Sequence, residues 1–310
     1  MRGLKRWIDR GAINVAAKSL APGKPDDARV LRAREMLAHP ELLRPIEETA
    51  KFTCGAKGEF QFDSTVRSGA GRNDTVHGRL FFAGESWAAK PLVVLVHGWN
   101  AELHYLYVLP LVARALNRRG LNAALIELPF HLHRRPLERN GMRDFISDDL
   151  PGMLMATRQA LSDIHALGRW AKAQGCPSVG VWGFSLGAWL TGLYICQTDL
   201  PHAAVLTTPV SNLSCAVRDL PFCHPIRSGL NGSELNLTAL NLTHHRPQIN
   251  PAAIQLVESS YDLFVPKDSY RELADAWGLQ NWNTQKQGHI SVLISRKAMK
   301  QSITWLIRKL

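Results

Sequence analysis

A chain of 310 residues with an apolar fraction of 45% can bury one large core or two modest ones, so one main domain with additions is expected. The formal charge of +11 raises nucleic acid or an anionic membrane as partners, but basic composition alone is common among soluble enzymes, and no nucleic-acid partner is expected. Five cysteines without metal-ligand spacing argue against a metal site and for reduced thiols in the cytoplasm, with a bridge between Cys215 and Cys223 left open.

The N-terminus is basic (Arg2, Lys5, Arg6, Arg10) and lacks the apolar stretch and small-residue cleavage site of a secretory signal. No uncharged apolar run reaches the length of a membrane span. Residues 1–58 read as a helical extension, with Leu4, Ile8, Ala12 and Val15 at helix spacing and a second helix from Asp26 to Ala38. This extension could pack on the core, pair with another subunit or make a peripheral membrane contact. Packing is the expected outcome.

The core is expected over 59–208 and 251–310. Phe60 and Phe62 alternate with polar residues in a strand from Glu59 to Asp63, and Arg79 to Ala83 adds an antiparallel strand. Leu92 to Val96 is an unbroken apolar run of strand length, followed by His97-Gly98-Trp99-Asn100 and a helix from about Leu103 to Asn117. Further buried strands are read at Asn122–Leu128, Ser178–Trp182, Ala203–Thr207 and Ala252–Val257, with a short one near Gln280–Thr284. Helices are expected at 152–174, 186–197, 268–276 and 296–309. Strands alternating with helices predict an α/β class with a doubly wound, mostly parallel sheet.

Two segments exceed plain connections. His131 to Asp149 follows the strand ending in Leu128-Pro129, on the side where open α/β sheets bind ligands. Residues 209–250 are too long for a simple link and read as a cap or lid. Their Asn-x-Ser/Thr sequons, Asn231-Gly232-Ser233 among them, are taken as chance matches in the absence of a secretory signal. The basic residues Arg134, Arg135, Arg139 and Arg143, and the C-terminal group Arg296, Lys297, Lys300, Arg308 and Lys309, are expected mostly on solvated surface.

Acyl transfer through serine needs an exposed hydroxyl, a base, a carboxylate that orients the base, and donors for the oxyanion. Gly183-Phe184-Ser185-Leu186-Gly187 follows a strand and precedes a helix, the setting in which a serine is held on a sharp turn. The plainer alternative is a tight turn in which Ser185 only caps the helix.

With these motifs the sequence resembles the α/β-hydrolase superfamily over about Leu80 to Leu310, the inserted 209–250 set aside. The resemblance implies a triad in the order serine, acid, histidine. Ser185 stands as nucleophile, where dehalogenases and epoxide hydrolases of the superfamily have a carboxylate. Asp262, in Ser260-Tyr261-Asp262-Leu263-Phe264-Val265-Pro266, is the acid, with Glu258 as fallback. His289, in Gln287-Gly288-His289-Ile290, is the base, and a neutral imidazole can accept a hydroxyl proton near pH 7. The resemblance places the oxyanion hole at the backbone amides of Trp99 and Leu186, and makes His97 a brace rather than the base. No cofactor is implied.

The expected activity is cleavage of a small-molecule carboxylic ester through an acyl-enzyme. A thioesterase or acyltransferase would use the same residues, and a non-catalytic binder on the same fold is the rival of another class. Leu213, Leu220, Phe222, Ile226, Leu230, Leu237, Leu240 and Leu242 suit a cover over an acyl pocket, or simply pack the cap. Phe184, Arg134 and Arg135 are candidate substrate contacts, the arginines because they could meet a carboxylate or phosphate.

Overall fold

A computed structural model describes residues 2–20, 23–136, 145–230, 232 and 235–310; Arg139 and Arg143, and Asn231 and Ser233 of one sequon, lie outside the described residues. Among the described residues nine strands form one sheet: β1 (Thr53–Cys54), β2 (Glu59–Asp63), β3 (Thr75–Phe81), β4 (Leu92–Val96), β5 (Asn122–Ile126), β6 (Val179–Phe184), β7 (Ala203–Thr207), β8 (Ile254–Ser259) and β9 (Asn281–Gln285). Their order is β1-β2-β3-β5-β4-β6-β7-β8-β9. The edge β1-β2-β3-β5 is antiparallel, and every pairing from β5 through β9 is parallel.

Among the described residues the α-helices are α1 (Arg2–Ser19), α2 (Asp27–Ala38), α3 (Leu109–Asn117), α4 (Leu150–Ala173), α5 (Leu186–Ile195), α6 (Leu213–Asp219), α7 (His224–Gly229), α8 (Lys267–Trp277), α9 (His289–Val292) and α10 (Arg296–Ile307). The helix expected from Leu103 begins instead with a wider π-turn over His104–Val108 before α3. Side-chain caps set several starts: Asp26 accepts the Arg29 N–H at 3.0 Å and Asn212 accepts the Cys215 N–H at 3.0 Å.

Alternation along the buried strands divides the core between the two faces of the sheet. Leu92, Val94 and Val96 face α4, α5 and α8, with α1 and α2 on the same side. Val93 and Leu95 face α3 and α10. This two-sided burial explains why β4 to β8 read as continuous apolar runs rather than alternating ones.

Helix α1 packs on the core, but by a different face from the stripe read in the sequence. Leu4 and Val15 are exposed at 63% and 65%, whereas Asp9, Ile13 and Ala16 are buried. Apolar spacing alone could not choose between the two stripes, because Leu4, Ile8, Ala12 and Val15 form one as regular as that of Ile13 and Ala16.

The described residues of 209–250 fold as α6, α7 and short helical turns, tied to the core at several points. The Trp189 indole donates to the Leu240 carbonyl at 2.8 Å, and the Trp277 indole to the carbonyls of Leu242 and His245 at 3.1 and 3.0 Å. The five cysteines are unpaired. No helix among the described residues is long and apolar enough to cross a membrane.

Candidate active site

Chain order reverses beside β4: the chain leaves β4 for β5 on one side and returns to β6 on the other. The crevice at the carboxyl ends of β4 and β6 is therefore the topological switch point, where ligands bind in open α/β sheets. Local backbone strain gathers along the same edge. Asn100 follows β4, Phe130 and Leu132 follow β5, Ser185 follows β6 and Thr208 follows β7, all with positive φ. Such conformations persist only where the surrounding structure enforces them.

Ser185 sits at φ 54° and ψ −116°, directly between β6 and α5. Its N–H donates to the Thr207 carbonyl at 2.9 Å, which anchors the turn to β7. The flanking glycines let α5 start hard against the sheet. A Cβ on Gly187 would come within 2.2 Å of the Val96 carbonyl oxygen, and one on Gly183 within 2.2 Å of the Gly187 oxygen. Ser185 makes no side-chain cap bond to α5. Its hydroxyl is turned to a histidine instead.

His289 Nε2 lies 2.8 Å from Ser185 Oγ, and His289 Nδ1 lies 2.8 Å from Asp262 Oδ2. An ionised carboxylate only accepts, so the proton sits on Nδ1, leaving the Nε2 lone pair to accept from the serine hydroxyl. Asp262 is held in turn: its Oδ1 accepts the N–H groups of Phe264 and Val265 at 2.7 and 2.9 Å, and its Oδ2 accepts the Tyr270 hydroxyl at 2.7 Å. The turn with its own backbone and the bond to histidine thus use different oxygens of one carboxylate. The Phe264 ring stacks on the imidazole, with centroids 4.4 Å apart.

A cavity of about 150 Å³ opens beside the Ser185 and His289 side chains. No acidic side chain, lysine or arginine lines it among the described residues. Leu213, Leu220, Phe222, Ile226, Leu237 and Leu240 from the 209–250 segment face it, while Leu230 and Leu242 do not. Phe145, Ile146 and the first turns of α4 form another wall, a contribution the sequence reading placed only loosely in the 131–149 insertion. Trp99 and Leu186 line the cavity beside Ser185. Leu186 opens α5, and the first N–H groups of a helix have no intrahelical partner.

The other candidates are placed elsewhere. Phe184 is buried in β6, stacked on Trp182 at 5.1 Å and against His104, and does not line the cavity. Arg134 is not on solvated surface and does not line the cavity: it is fully buried, with its guanidinium donating to the carbonyls of Asn73 and Glu127 and lying 2.8 Å from Asp163. Arg135 pairs with Glu102 outside the cavity lining. Glu258, the fallback acid, is taken by β9, accepting from the Trp282 indole and the Thr284 hydroxyl at 2.9 Å each. Sequence reasoning missed Tyr270 and Asp9, both of which meet the site.

His97 is locked neutral. Its Nε2 accepts the Leu128 N–H at 3.1 Å, so its Nδ1 carries the proton and donates to the Gly98 carbonyl at 2.7 Å. Burial pushes the ring down to about 3, with His131 nearby adding to the effect. Burial likewise lowers His104 and His131 to about 4 each. The unfolded chain takes up protons at these rings below pH 6.5 that the folded chain refuses until about pH 4. Stability is therefore expected to fall as pH drops from 6.5 toward 4, each ring accounting for up to about 3 kcal/mol. The buried Asp9 and Asp163 carboxyls, raised by desolvation, oppose this. Chemical denaturation across pH 4 to 8 of the wild type, His104→Gln and His131→Gln checks it, and a pH profile identical in the variants and the wild type would contradict the neutral assignment.

No protein-family model and no curated protein sequence matches the chain. Solved structures do. An acylaminoacyl peptidase from Pyrococcus horikoshii superposes with a TM-score of 0.60 at 16% identity over 85% of this chain, which spans 42% of that protein's length. A cold-adapted esterase from an Arctic intertidal metagenomic library gives 0.55 at 18% identity, covering 86% of this chain and 100% of that one. Est1E from Butyrivibrio proteoclasticus, bound to ferulic acid, gives 0.51 at 12% identity, covering 76% and 93%. Sheet order, strained serine turn and structural neighbours agree: this chain is an α/β-hydrolase-fold protein.

Proposed function

We propose that the protein is a serine hydrolase that cleaves carboxylic esters carrying an apolar acyl group. The observation that carries this reading is the hydrogen-bonded series Ser185 Oγ, His289 and Asp262 opening onto an apolar cavity. Ser185 Oγ attacks the ester carbonyl carbon while His289 Nε2 takes the hydroxyl proton. The imidazolium that forms is stabilised by Asp262. Negative charge developing on the carbonyl oxygen is met by the amides of Leu186 and Trp99, which line the cavity beside Ser185. Collapse of the tetrahedral adduct breaks the ester C–O bond, and His289 returns its proton to the departing alcohol. Water then repeats the sequence on the acyl-enzyme, with His289 again the base.

The lining favours an ester over a peptide. A peptide segment threaded into this cavity would lose water from its N–H and C=O groups with few partners to replace it, at about 1–3 kcal/mol for each group left unpaired. An acyl chain loses nothing of that kind and gains about 0.8 kcal/mol for each methylene buried.

The test is a panel of nitrophenyl esters and acyl-thioesters of increasing chain length, together with labelling by a fluorophosphonate. Expected are labelling of the folded protein at Ser185 and a kcat/KM for esters that rises with chain length until the cavity is filled. Hydrolysis of thioesters alone would replace the ester assignment. Absence of labelling would remove the hydrolase reading altogether.

A further inference from the structure

Asp9 is the one acidic residue of α1, and it is fully buried although the helix around it is basic. Its carboxylate meets the two loops that carry the acid and the base. Oδ2 accepts the N–H of His289 at 2.8 Å and that of Leu263 at 3.2 Å, and Oδ1 accepts the N–H of Ile290 at 3.1 Å. Leu263 directly follows Asp262 in the chain. One carboxylate therefore bridges the backbone at the base to the backbone next to the acid.

The arrangement has a local cause. Helix α9 begins at His289, and its first N–H groups need acceptors from outside the helix. The preceding residue, Gly288, has no side chain to supply one, and a Cβ there would lie 2.9 Å from both Asp9 carboxylate oxygens. Asp9 takes over the capping task from a different helix, and the glycine leaves it room. Desolvation raises the Asp9 carboxyl, and the Ile290 and His289 amides pull it back. Other contacts hold α1 at the same place. The Lys5 ammonium donates to the Lys286 carbonyl, Arg2 lies over the Tyr261 ring at 5.6 Å, and the His224 ring meets the Ala17 carbonyl at 3.1 Å.

We infer that Asp9 is a positioning residue for the reaction proposed above, and that α1 is a working part of the active site: through Asp9 it keeps the His289 loop and the Asp262 loop in the register that the 2.8 Å bond between them requires. The inference rests on the serine-hydrolase reading. Asp9 itself does not line the cavity and touches no substrate.

The experiment compares the wild type with Asp9→Asn, which keeps the shape but offers one acceptor oxygen where the loops need two. Three quantities are read: the rate of fluorophosphonate labelling per labelled site, kcat and KM for a nitrophenyl ester, and the far-downfield proton resonance of a histidine Nδ1–H bonded to a carboxylate. Expected in Asp9→Asn are a fall of about 10- to 100-fold in labelling rate and kcat, a KM within about twofold of wild type, and a shifted or lost resonance. Val15→Ala, on the exposed side of α1, is expected to match the wild type in all three. A purely structural role would lower the melting temperature and the number of labelled sites while leaving the rate per site and the resonance unchanged, and that result overturns the inference. Should Asp9→Asn prove too unstable to isolate, Asp9→Glu, which retains both oxygens on a longer arm, is expected to show the same resonance change with a smaller loss of rate. A wild type that is never labelled removes the hydrolase reading, while the resonance still reports whether Asp9 governs the His289 loop.

Discussion

Ser185→Ala is expected to lower kcat/KM for a nitrophenyl ester by about three to six orders of magnitude while leaving the melting temperature within a few degrees of wild type. The hydroxyl is bonded to His289 and makes no cap bond to α5, so its removal deletes the atom proposed to attack without taking a bond from the helix. His289→Ala is expected to fall by a similar factor, and the double variant no further, because the two side chains act as one device and their losses do not add. His97→Gln provides the contrast. His97 is 1% exposed and lies two residues before Trp99, yet both its ring nitrogens are already committed to backbone groups. Its replacement should disturb the loop rather than remove a base, at less than about 100-fold. Steady-state kinetics of the variants, each with its thermal unfolding curve, decides the matter: a His97→Gln variant as inactive as His289→Ala would mean that the base has been misassigned.

The second large effect lies away from the cavity. Arg134→Met is expected to destabilise the fold by about 3–5 kcal/mol, with a fall in melting temperature on the order of 10 °C. Arg134 is fully buried beside Asp163, which is 1% exposed and also accepts the Ser64 hydroxyl at 2.6 Å. Methionine would fill much of the volume but strand the Asp163 charge, together with the Asn73 and Glu127 carbonyls that now accept from the guanidinium. The stranded carboxylate is the largest part of the loss, since an uncompensated buried charge is worse than no charge. Adding Asp163→Asn to Arg134→Met should therefore recover part of the stability. If the two losses add instead, the pair is not the coupled unit its geometry indicates. Hydrolysis per folded molecule should change little in either variant, because neither residue lines the cavity.

Arg134 also marks where sequence reading fails. Charged residues are mostly exposed, so a cluster of arginines reads as surface. Nothing local distinguishes Arg134, which is buried, from its neighbour Arg135, which is partly exposed and pairs with Glu102. The difference depends on Asp163, Asn73 and Ser64, which are distant in sequence and converge only in the fold. The buried strands were legible for the opposite reason. Leu92–Val96 and Ala203–Thr207 must be apolar on both faces, and that demand is written in consecutive residues.

Asp9 is an intermediate case. A lone acid one turn before Ile13 on the inner side of a basic helix is a detectable signal, but it becomes readable only once the buried face is known. The apolar stripe of Leu4 and Val15 pointed to the other face.

The sequence by itself determined the sheet class and the strand-turn-helix setting of Ser185, because each is encoded within a short window by apolar runs and glycines, while Asp262 and His289 followed only from the resemblance those motifs carry. Only the tertiary structure decided which arginine is buried, that Asp9 and Tyr270 meet the acid and base loops, and which leucines of residues 209–250 face the cavity. Those outcomes are set by contacts between segments up to 281 residues apart, such as Asp9 with Ile290. Hydrogen bonds and burial at that range depend on where the backbone has already been placed, and a local pattern carries no record of that.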